Sequence, residues 1–63
     1  KMNRELFLSL KQALVDQYTT RVYSIDEGVR MGLISPENAA EAKDRFYDAY
    51  VKNDAAIQAL YVH

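Results

Sequence analysis

Gly28-Val29-Arg30-Met31-Gly32-Leu33-Ile34-Ser35-Pro36-Glu37 is the stretch on which the fold turns, and it holds both glycines and the one proline of the 63-residue chain. Gly32 is a good helix terminator, because glycine enters the left-handed conformation without the steric cost that a Cβ imposes. Leu33, just beyond it, is placed to pack back on Val29. Ser35 then reads as an N-cap, Pro36 as the first helical position and Glu37 as a carboxylate in the first turn. Ile34 is placed to staple onto Ala39. One helix ends here and another begins within a few residues, and long helices joined so closely pair antiparallel.

Outward from this junction nothing reads as strand, since no segment alternates apolar and polar residues over five or more positions. Upstream, Phe7, Leu10, Leu14, Tyr18 and Ile25 line one stripe of a helix that opens near Asn3. A second row, Leu8, Val15 and Val22, recurs every seven residues to one side of it, and Leu6 and Ala13 lie to the other. An apolar sector this wide asks for cover from two directions.

Around Thr19, Thr20 and Val22 the helical pattern weakens, because β-branched residues are poor helix formers. Ser24-Ile25-Asp26-Glu27 fits a capping box. These signals favour a break near residue 22, with a short helix at about 25–31, over one helix from 3 to 31. Arg21 inside the stripe reads as pointing outward at the bend, or as pairing with a carboxylate across a helix interface.

Downstream, Ala39, Ala42, Phe46, Ala49, Tyr50, Asn53, Ala56, Ile57 and Leu60 make a stripe for a helix over about 36–60. Asn53 is either a buried amide that sets register or the cap of a separate turn. The expectation is therefore a single all-α domain, residues 1–63. It is an antiparallel helical hairpin, helices at about 3–22, 25–31 and 36–60, completed as a bundle by oligomerisation or by a partner. A hairpin this small rarely supplies enough core alone.

Composition narrows the chemistry. There is no cysteine, hence no disulfide framework, thiolate site or cysteine nucleophile. The one histidine is His63, and of the serines Ser9, Ser24 and Ser35 two read as caps, so no nucleophile–base constellation emerges. Neither glycine belongs to a phosphate loop. The reading is a non-catalytic protein without metal or cofactor. With net charge −1 the chain lacks the basic excess of a dedicated nucleic-acid binder. No apolar run reaches the length of a membrane span and no signal peptide is visible, so the expected compartment is the cytosol. Lys1 ahead of Met2 reads as a remnant before a native start.

Two surfaces remain as candidates. The first is an interface for a copy of the chain or for a larger protein: Leu8, Val15 and Val22, with Tyr23, Tyr47 and Tyr61 as tyrosines off the two main stripes. The second is the acidic row Glu37, Glu41, Asp44 and Asp48, four carboxylates on one helix face. It reads first as a solvated face, partly neutralised by Lys43, Arg45 and Lys52, and otherwise as a docking surface for a basic site. The pattern Ser24, Gly28, Met31, Gly32, Leu33 is similar to the first helix and turn of a helix-turn-helix. The helix that would then read DNA carries more acid than base, which opposes phosphate binding. The functional expectation is a small helical interaction, assembly or modulator protein, of the character of bacterial and phage accessory proteins. DNA binding and inhibition of a basic site are the alternatives.

Overall fold

The computed structural model describes residues 2–62, so the expectations about Lys1 and His63 fall outside the described residues. Two helices account for the architecture: α1 over Arg4–Arg30 and α2 over Pro36–Val62. Asn3 starts α1, its side-chain oxygen accepting a hydrogen bond from the Leu6 N–H at 2.8 Å. At the other end the Gly32 N–H donates to the Val29 carbonyl at 3.0 Å and the Leu33 N–H to the Gly28 carbonyl at 2.8 Å. These are the two bonds of a Schellman motif, and Gly32 supplies its left-handed residue with φ +77°. Ser35 caps α2 as expected: its hydroxyl accepts from the Asn38 N–H at 3.2 Å, and its carbonyl accepts from the Ala39 N–H at 2.9 Å.

The expected short helix at 25–31 does not exist as a separate element. α1 runs unbroken through Thr19, Thr20, Val22 and Ser24. The β-branched run costs only tenths of a kcal/mol per residue. The Thr19 hydroxyl meets its own helix by donating to the Val15 carbonyl at 2.8 Å. Ile25 stays in the seam against α2, so Ser24 is an exposed mid-helix residue rather than a cap. Arg21 follows neither expectation. With no bend to turn it outward, its guanidinium lies over the Phe46 ring, 5.1 Å from the centroid. Asn53 is likewise neither cap nor buried amide: α2 passes through it, and it is exposed.

The helices lie side by side and antiparallel for their whole length. Contacts climb α1 as they descend α2: Phe7 with Tyr61, Lys11 with Asp54, Tyr18 with Tyr50, Arg21 with Phe46, Asp26 with Lys43. A helix-turn-helix corner would cross the two helices steeply. Here Gly28 has a different use, leaving room for Ile34 where the chain reverses. Leu33 does not fold back on Val29. It projects into solvent, 75 % exposed.

Among the described residues, only Leu14 and Ala39 of the apolar side chains are buried, and Gly28 is buried with them. The seam on α2 is rotated from the apolar stripe towards Tyr61, Lys43 and Asp54, which are half-buried, while Leu60 is 59 % exposed. One helix covers little more than 100° of its neighbour, so the large aromatic rings take the seam and the flanks stay open.

Candidate interaction surface

Two helices side by side make a plank with two broad faces, here 45 × 17 × 7 Å between Cα atoms. At about 100° per residue, the positions that pair across the seam identify the faces. Lys11 with Asp54 and Asp26 with Lys43 straddle the seam on one of them, near its two ends. Tyr18 meets Tyr47 edge-on between these ion pairs, at 6.0 Å and 65°. Leu8, Val15 and Val22 fall on this same face. Leu8 and Val15 are exposed and Val22 is half-buried at the rim.

An unbroken α1 extends that row. Val29 follows Val22 by seven residues, is half-buried, and borders a shallow hollow completed by Pro36, Ala39 and Ala40, with Asp26, Lys43 and Asp44 at its edge. Reading a break at residue 22 hid this fourth member. From α2 the face receives Tyr47 and Val51, both exposed. Val51 was missed because it lies off the apolar stripe of its own helix. It becomes part of a surface only once the seam is placed.

The other candidate residues scatter. Tyr61 faces inward rather than outward: its ring stacks on Phe7 at 4.1 Å, closing the open end of the hairpin. Tyr23 points away from both helices, 65 % exposed. Glu37, Glu41, Asp44 and Asp48 are all exposed, and none of the four forms an ion pair among the described residues. Lys43 does not neutralise them, since it reaches across the seam to Asp26. A further ion pair is local: Glu27 accepts from Arg30 at 2.6 Å and holds that guanidinium above its ordinary pKa.

The opposite broad face holds Leu6, Ala13, Leu60 and Ala56, interrupted by Gln17, Ser24 and Asn53. It lacks a continuous aliphatic row. No family model matches the chain, and neither the curated proteins nor the solved structures contain a match. Among the described residues, no helix is long and apolar enough to cross a membrane.

Total surface measures how much is left uncovered. The chain exposes 4801 Å². A compact monomer of 7.2 kDa exposes about 4,100 Å². The excess is on the order of 700 Å², close to the roughly 800 Å² that each partner buries in a standard interface. The Cα radius of gyration, 14.5 Å against about 11 Å for a compact domain of this length, makes the same point.

Proposed function

We propose that the chain is a non-catalytic assembly module, a hairpin that contributes two helices to a larger helical bundle. The observation that carries this reading is the partly covered aliphatic row Leu8, Val15, Val22, Val29 on a plank with two buried apolar side chains among the described residues. Leu8 and Val15 still show 48 % and 40 % of their surface to water, so covering them would add roughly half of the 1.5–3 kcal/mol that full burial of such a side chain is worth. Two helices have one seam and cannot bury both of their flanks. A four-helix arrangement supplies the missing cover and uses the same side-by-side packing.

Thermal unfolding at a series of protein concentrations tests the reading. A module of an assembly has a melting temperature that depends on the concentration of whatever covers it. A chain that melts cooperatively at the same temperature from nanomolar to high micromolar concentration, with no partner present, would not be one.

A further inference from the structure

The geometry points to a second copy of this chain as the cover, laid over the face of Leu8, Val15, Val22 and Val29 by a two-fold axis that crosses both helices. The inference rests on the assembly reading and names its partner. The row of four has its midpoint between Tyr18 and Thr19. A two-fold axis there turns the row onto itself end for end. Val15 then meets Val22 of the second copy. Leu8, exposed at the open end, meets the hollow beside Val29, Pro36, Ala39 and Ala40 at the turn end of the second copy. Each chain thus offers both the projection and the recess.

The charges obey the same operation. Lys11 and Asp54 sit at one end of the face, Asp26 and Lys43 at the other, so that sign alternates around the four corners. The crosswise axis carries Lys11 over Asp26 of the second copy and Lys43 over Asp54, so every corner meets its opposite. On α2 the axis passes between Asp48 and Ala49. That level matches its level on α1, because Tyr18 touches both Tyr47 and Tyr50. A lengthwise two-fold would also satisfy the charges. It sets Leu8 over Gln58 and Val22 beside Asp44, whereas the crosswise axis pairs Val15 with Val22 and leaves Asp44 at the edge of the hollow that takes Leu8. The surface in excess of a compact monomer is about what one side of such a dimer buries.

The chain has no cysteine, so introduced thiols report unambiguously. Val15→Cys, Val22→Cys and Val51→Cys are made singly, checked for helicity, and oxidised alone and in pairwise mixtures. The expected result is a wild-type particle of twice the chain mass by light scattering, and a disulfide dimer from the mixture of Val15→Cys with Val22→Cys. Val15→Cys alone should not cross-link, since the two thiols would sit about 10 Å apart along the helices. Cross-linking of Val15→Cys with itself would overturn the arrangement. Preferential cross-linking of Val15→Cys with Val51→Cys would replace it with the lengthwise axis. A dimer in which no pair cross-links would move the interface to another face. A monomer that is unfolded alone would overturn the second copy but keep the assembly reading. A monomer that folds cooperatively alone would overturn both.

Discussion

Ile34 occupies the space that a side chain on Gly28 would need. A Cβ placed on Gly28 comes within 2.9 Å of Ile34 Cγ1, closer than real Cβ atoms approach. The turn can fold Ile34 against α1 because that position of the helix is bare. Gly28→Ala has two opposed effects. It should gain about 1 kcal/mol of helix propensity and lose roughly 1–3 kcal/mol to overpacking. We predict a net loss of about 1 kcal/mol. In an Ile34→Ala background the same change should become stabilising. Urea unfolding of the four proteins in the cycle measures the coupling, and a cycle without coupling would show that Ile34 does not depend on the glycine.

The two capping devices at the turn should be separately measurable. Ser35→Ala removes the acceptor for the Asn38 N–H and should cost about 1 kcal/mol. Gly32→Ala forces an alanine to φ near +77° in otherwise open space, so its cost, roughly 1–2 kcal/mol, is conformational rather than steric. Unchanged urea midpoints for both variants would contradict this account of the 31–35 connection.

Tyr61 and Tyr23 should differ in consequence. Tyr61 stacks on Phe7, and Tyr61→Ala forfeits that pair, about 0.5–1.5 kcal/mol, together with its burial. Tyr23→Ala should stay within about 0.5 kcal/mol of the parent. Thermal melts of the two variants under one set of conditions compare them directly.

Leu8→Lys combined with Val15→Lys puts two cations into the aliphatic row. We expect the assembly to dissociate at micromolar concentration and to lose on the order of 1 kcal/mol of stabilisation per site, the part of the burial that a partner supplies. Sedimentation or light scattering reads the first effect, and the melting temperature reads the second. A parent and a double variant with the same mass and the same melting temperature would remove the row from any interface.

Binding to duplex DNA should be non-specific at best, with Kd no tighter than about 10⁻⁴ M at physiological salt. A sub-micromolar complex with a steep salt dependence, read by fluorescence anisotropy, would contradict the assembly reading.

The ends of the helices were legible because caps are local chemistry. Asn3, Gly32 and Ser35 each act within three residues of themselves, and each does in the structure what its type suggests. The inner stripe of α1 was legible for a similar reason, since Phe7, Leu10, Leu14, Tyr18 and Ile25 all turn towards α2. What misled was propensity at Thr19, Thr20 and Val22. There the loss is small and a neighbouring helix outweighs it. The false break then severed Val29 from Leu8, Val15 and Val22. On α2 the apolar stripe pointed to Leu60, but the seam is set by which rings reach across, and Tyr61 reaches Phe7. Register between two helices is a relation between distant residues, and no window of one helix contains it.

The two helices share a single seam, and every rung from Asp26 with Lys43 to Phe7 with Tyr61 encloses a longer stretch of chain than the one before. Loop-closure entropy therefore favours forming the rungs nearest the turn first. Folding should zip from the 31–35 connection outward, with amide exchange protection declining towards the Phe7–Tyr61 end. A defect at the turn then delays every later rung, while a defect at Tyr61 loosens only the last. The place that nucleates the molecule is thus the one where it has spent its two glycines and its proline.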